Sequence, residues 1–120
     1  MDENLNTQIK TEGEAAVITF GSSAITDMEG ITAACEQIKT FIEENHPMAV
    51  VFDFGGVEFF TSEVLGLLLE VRARLKEYEG RVVVSTLSPQ LYRVFKVTNL
   101  DKIFEFFPDS QSALKTVSTD

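Results

Sequence analysis

At 120 residues, 44% of them hydrophobic, the chain is long enough for one domain with a real core and too short for two. Its formal net charge of −9, from 10 basic and 19 acidic residues, argues against nucleic-acid binding and docking on anionic lipid, and no apolar run is long enough to insert in a membrane. The single cysteine excludes an internal disulfide, in keeping with a reducing compartment.

The N-terminus, Met1-Asp2-Glu3-Asn4, lacks a basic region followed by an apolar one, so no signal peptide is visible and a cytoplasmic location is expected. Ile9 to Glu12 and Ala15 to Phe20 read as two strands joined at Gly13-Glu14, a hairpin with its turn signal. Thr26-Asp27-Met28-Glu29 has the form of a capping box and opens a helix to about Asn45, with Ile31, Ala34, Cys35, Ile38, Phe41 and Ile42 on its apolar face. Pro47 breaks the chain before Ala49 to Phe54, a nearly continuous apolar run expected of a central strand covered on both faces. A glycine turn, Gly55-Gly56, and two aromatics, Phe59-Phe60, lead to a second helix. Gly80 ends that helix, and Arg81 to Ser85 reads as another buried strand. Ser88 caps a short helix with Pro89 at its first position, running towards Thr98. Ile103 to Phe107 is a last strand, and Asp109 caps a final helix through about Val117. The alternation gives an α/β domain over residues 5–118, with a mixed, mostly parallel sheet after a leading hairpin and about four helices. Residues 1–4 and 119–120 are expected to be flexible ends.

Few residues are available for catalysis. His46 ends a helix beside Pro47 and reads as a solvent-facing cap; Cys35, on an apolar helical face, reads as a small core residue. Together they form no metal site of recognisable spacing and no convincing Cys-His pair. Phosphate-binding loops and nucleophile elbows are absent, and Gly55-Gly56 is too short to cradle a phosphate by itself. Asp53, at the carboxyl end of the central strand, is the one carboxylate placed where open α/β sheets bind ligands. It could bind a metal or accept a phosphoryl group there.

The most informative segment is the start of the second helix, Thr61-Ser62. With Thr61 as the N-cap, Phe60 and Leu65 form a hydrophobic staple, and Ser62 falls at the first helical position with its hydroxyl free. Glu63 then lies near the positive end of the helix dipole. Spacing of about 100° per residue assigns Val64, Leu67, Leu68, Val71, Leu75 and Tyr78 to the sheet side. Leu65, Leu69 and Ala73 form another stripe, shared with Ser62 and Gly66 and bordered by Arg72 and Lys76. The residues expected to bind a partner are therefore Ser62, Leu65, Gly66, Leu69 and Ala73.

The run from Val50 to Leu69 resembles the signature of STAS domains, the family of bacterial anti-sigma factor antagonists. There, a strand ending in aspartate leads through a turn and aromatics to Asp-Ser-Ser-Gly-Leu-Gly. The matching run here is Thr61-Ser62-Glu63-Val64-Leu65-Gly66, with Thr61 for the aspartate, Glu63 for the second serine and Val64 for the first glycine. Leu87-Ser88-Pro89, Val94-Phe95, Thr98-Asn99-Leu100 and Ile103-Phe104 are similar to the family's later helix and last strand. The resemblance implies a structural Asp53, a phosphorylatable Ser62, and a non-enzymatic module without metal or cofactor. It would act in transcription regulation, binding an anti-sigma factor that is also a serine kinase while Ser62 is unphosphorylated, with a phosphatase resetting the switch. Two alternatives stay open. One is a constitutive STAS scaffold subunit of a lipid-transport or stressosome-like complex, and the other is a small α/β enzyme using Asp53 and Ser62.

Overall fold

The structure, a computed structural model, describes residues 7–118. The expected flexible ends, 1–4 and 119–120, lie outside the described residues. Strands β1 (Gln8–Glu12) and β2 (Ala15–Thr19) form the leading antiparallel hairpin, with Gly13 at positive φ in its turn. Strands β4 (Ala49–Asp53), β6 (Arg81–Ser85) and β7 (Glu105–Phe107) add in parallel, giving the order β1-β2-β4-β6-β7. β3 (Ala24–Ile25) and β5 (Phe59–Phe60) form a separate two-stranded parallel ribbon.

Alternation along the central strands sorts side chains onto two faces. Ile18, Val50, Phe52, Val82 and Val84 face helices α1 (Met28–Asn45), α2 (Ser62–Lys76) and α3 (Pro89–Val97), and form the main core with Ile38, Leu68, Leu75, Leu91 and Phe95. Val17, Val51 and Val83 face α4 (Ser110–Ser118), where Ala113 is buried among them. Covered on both faces, β4 needs the near-continuous apolar sequence it has. The helices α1 and α2 are also joined by ion pairs, Lys39–Glu70 at 3.0 Å and Arg74–Glu43 at 2.8 Å.

Three local expectations are corrected. The α1 cap is Asp27 and not Thr26: its carboxylate accepts from the Gly30 N–H at 3.1 Å, because the β3–β5 ribbon keeps the chain extended through Ile25. Helix α2 ends at Lys76 rather than at Gly80, and Glu79 takes positive φ (69°) in the turn that follows. Gly80 serves a different need, since an added Cβ would lie 3.1–3.2 Å from the Leu75 side chain. The last strand starts at Glu105, not Ile103. Asn99 at φ 64° initiates a 3-10 turn, Leu100–Lys102, whose Leu100 carbonyl accepts from Ile103 and Phe104 and keeps them out of the sheet. The Ser88 and Asp109 caps form as expected, accepting from Leu91 N–H at 3.2 Å and Ser112 N–H at 2.8 Å.

Candidate functional site

The carboxyl end of β4 leads into the candidate site, and its turn is fixed by the chain's own polar groups. Asp53 Oδ1 accepts from the Gly55 N–H at 2.7 Å, and the Phe54 N–H donates to the Ser85 carbonyl at 3.0 Å. Gly56 then takes φ 84°, which a side chain would strain. A Cβ on Gly55 would lie 3.0 Å from Asp53 Oδ1 and 3.3 Å from Thr86 Cγ2. Asp53 therefore acts as the turn's internal acceptor. Among the described residues, no group of three or more His, Cys, Asp or Glu is placed to hold a metal ion.

From this turn the chain enters β5, which is tied to β3. The N–H groups of Glu58 and Phe59 both donate to the Ser23 carbonyl, at 2.7 and 3.2 Å, and that of Thr61 donates to the Ile25 carbonyl at 3.2 Å. Alternation across β5 then separates the two aromatics. Phe60 is buried, with its ring centroid 5.4 Å from that of Phe54 and 6.1 Å from that of Phe95. Phe59 points the other way and is 56% exposed. Period-two alternation in Phe59-Phe60 already separates one exposed ring from one buried ring.

The two adjacent hydroxyls have different surroundings. Thr61 occupies the N-cap position with extended backbone (φ −87°, ψ 168°), but its side chain makes no capping hydrogen bond. Its Oγ1 is buried without a partner, and its carbonyl accepts from Val64 N–H at 3.0 Å. The expected hydroxyl cap is thus absent: Thr61 fills the position sterically. Ser62, the first residue of α2, is exposed, as is Glu63 beside it.

Along α2, the sheet-side set Val64, Leu67, Leu68, Val71 and Leu75 is buried as expected, and Tyr78 is half-buried with its hydroxyl donating to the Pro47 carbonyl at 2.9 Å. Leu65 is a correction: at 6% exposure it belongs to the core and not to a docking stripe. It lies about 60° around the helix from Leu68 and about 40° from Leu69, on the flank away from α1, so angle alone did not settle its side. The surface left open is Ser62, Gly66, Leu69 (37% exposed) and Ala73, bordered by exposed Lys76 and half-buried Arg72. A Cβ built on Gly66 meets nothing within 4 Å.

The other candidate groups lie elsewhere. Cys35 is half-buried rather than core, its thiol donating to Glu70 at 3.7 Å; burial, and then the Glu70 charge, push its pKa up. Lys39 bonds the same carboxylate, which holds Glu70 below and Lys39 above their ordinary values. His46 ends α1 at φ 47°, exposed and edge-on to Tyr78 at 5.2 Å. Among the described residues no helix is long and apolar enough to cross a membrane.

Comparison with known proteins agrees with this architecture. The STAS domain family model matches residues 6–113. Among solved structures, the unphosphorylated form of the anti-sigma factor antagonist SpoIIAA superposes with a TM-score of 0.84 at 21% identity, covering 95% of this chain and 97% of that one. Phosphorylated SpoIIAA from Bacillus gives 0.73 at 21% identity, with 92% and 98% covered. An anti-sigma factor antagonist from Mycobacterium paratuberculosis gives 0.81 at 28% identity, with 93% and 92% covered. A larger protein, the murine Slc26a9 anion transporter, gives 0.66 at 14% identity over 89% of this chain and 18% of its own. With the fold, the turn and the helix start all in place, the chain belongs to the STAS domain family and resembles its anti-sigma factor antagonists.

Proposed function

We propose that this chain is a phosphorylation-switched binding module of the anti-sigma factor antagonist type, with no catalysis and no cofactor of its own. Its partner is an anti-sigma factor that is also a serine kinase, and the surface that meets it is the outer ridge of α2 with Phe59. Phosphorylation of Ser62 by that kinase releases the complex, and a phosphatase restores it, so the output is transcriptional.

The observation that carries this reading is the exposed Ser62 at the first turn of α2, in line with a mid-helix glycine that the fold does not require. Glycine inside a helix is destabilising by roughly 0.5–1 kcal/mol relative to alanine. At Gly66 no neighbouring atom of the domain would obstruct a side chain. A partner backbone approaching closely at that point accounts for the glycine. Phe59 supplies a large apolar contact, mounted on a hydrogen-bonded ribbon and so losing little entropy on binding. A phosphate on Ser62 is tolerated by the helix N-terminus but must be desolvated at an apolar contact. The existence of SpoIIAA in unphosphorylated and phosphorylated forms supports the same scheme.

A second reading, a constitutive scaffold subunit, is favoured by Glu63, which sets a fixed charge beside the serine, and by the likeness to a domain-sized part of an anion transporter. Capture of the partner with and without ATP separates the two. The switch predicts a kinase that adds one phosphate at Ser62 and then dissociates. Phosphate found on Thr61 or Ser88 with Ser62 unmodified, or a partner indifferent to ATP, would reject it in favour of the scaffold.

A further inference from the structure

A different face of the molecule carries a second interaction surface. The inner side of α3, Leu91 and Phe95, is buried, whereas its outer side presents Tyr92, Arg93, Lys96 and Val97. Val97 is 75% exposed and Tyr92 is 38% exposed. Pro89, Tyr92, Arg93, Lys96 and Val97 line one shallow groove. Tyr92 is braced from beneath, its ring 5.2 Å from and edge-on to Phe106, which meets Phe95 at the same distance. Lys96 Nζ lies 5.9 Å from the Tyr92 ring centroid.

The charge of this face is opposite to that of the chain. Helix α3 holds two basic residues, Arg93 and Lys96, and no acidic one. Lys39, Arg74 and Arg81 are in ion pairs, whereas Arg93 and Lys96 have no carboxylate partner among the described residues. Apolar area beside unpaired cations, on a braced helix, is complementary to carboxylates interleaved with apolar side chains.

We propose that the outer face of α3 docks an acidic amphipathic segment of a partner protein. The carboxylates of that segment pair with Arg93 and Lys96, and its apolar residues cover Val97 and Tyr92. A discrete segment responds to the local positive charge, because charges further away than about 8–10 Å are screened at moderate ionic strength. An anionic membrane or a nucleic acid is an extended array that also meets the repulsion of a chain with net charge −9. A second copy would join head-to-tail, which leaves an open contact at each end. This surface does not depend on Ser62, and its test does not pass through the kinase.

The test uses the whole isotope-labelled protein, titrated with a synthetic helical peptide bearing glutamate on one side and leucine on the other. Its Glu-to-Gln analogue and vesicles containing phosphatidylserine are the comparisons. Amide shifts should map to α3, the Gln analogue should bind at least about fivefold more weakly, and added salt should weaken the acidic peptide. Arg93→Glu and Lys96→Gln, both at exposed positions, should each weaken binding about two- to fivefold, and Arg93→Glu should do so without moving the melting temperature. The proposal is overturned by no shifts at millimolar peptide, shifts centred elsewhere, or equal binding of the Gln analogue. Binding to the vesicles in preference to the peptide, or self-association through this face without peptide, equally overturns it.

Discussion

The two sides of α2 differ in what they require of a side chain. On the inner side and its near flank, Val64, Leu65, Leu67, Leu68, Val71 and Leu75 are all buried, and Thr61 puts even its hydroxyl out of reach of water. On the outer side, Ser62, Gly66, Leu69 and Ala73 face outward, and a Cβ added at Gly66 would meet nothing of the domain within 4 Å. One side is thus constrained by the fold, and the other is left for whatever the helix meets. Side chains one residue apart, such as Thr61 and Ser62, can have unrelated roles.

The sharpest way to break this contrast is to truncate one leucine from each side. Leu65→Ala should cost about 2–4 kcal/mol by transfer and cavity terms, and Leu69→Ala should stay within about 0.5 kcal/mol. Equilibrium denaturation that gives similar losses would return Leu65 to the surface. A smaller effect separates Thr61 from a true hydroxyl cap. Thr61→Val keeps the shape and removes an oxygen that bonds nothing, so stability should hold or rise by up to about 1 kcal/mol. Ser88→Ala, which removes a formed cap, should lose about 1 kcal/mol. Gly66→Ala should stabilise the isolated domain by about 0.5–1 kcal/mol while weakening the partner complex. A domain destabilised by that alanine would show that the glycine serves the fold.

The smallest expected effect is in acid. Backbone and side-chain hydrogen bonds from Ser112 hold the Asp109 carboxyl below its ordinary value. A carboxylate depressed on folding favours the folded state above its unfolded pKa, and that contribution fades as pH falls through the lower folded value. Asp109→Asn should therefore flatten the stability profile slightly below about pH 4 and leave its shape at neutral pH unchanged. An altered slope only at neutral or alkaline pH would contradict the assignment.

Most of the fold was legible in the sequence because strong signals coincided. Ser88-Pro89, Asp109 and the valine runs each agree with the helix or strand around them. What stayed hidden depends on contacts between distant segments. The β3–β5 ribbon moved the α1 cap from Thr26 to Asp27, and no local pattern announces a two-residue strand pair. Asn99 in the left-handed region redirected Ile103 and Phe104, which read equally well as strand. For the site, position was readable and environment was not. Ser62 fell on the expected exposed turn, whereas Leu65 sat at the boundary of two stripes, and only the packed domain decides such a case. Phe59 was readable in principle, but a pair of adjacent phenylalanines reads first as core.

The central claim is that a phosphate on Ser62 acts on binding and leaves the fold intact. It is tested most directly by comparing unmodified and Ser62-phosphorylated protein in two measurements made on the same sample, thermal melting and affinity for the proposed kinase partner. The added charge of about −1.5 to −2 meets the helix dipole favourably and Glu63 unfavourably, so the melting temperature should change little. Partner affinity should fall by at least about tenfold, as expected for a charge desolvated at an apolar contact. A phosphorylated domain that unfolds, or one that melts normally and keeps its partner, would contradict the account.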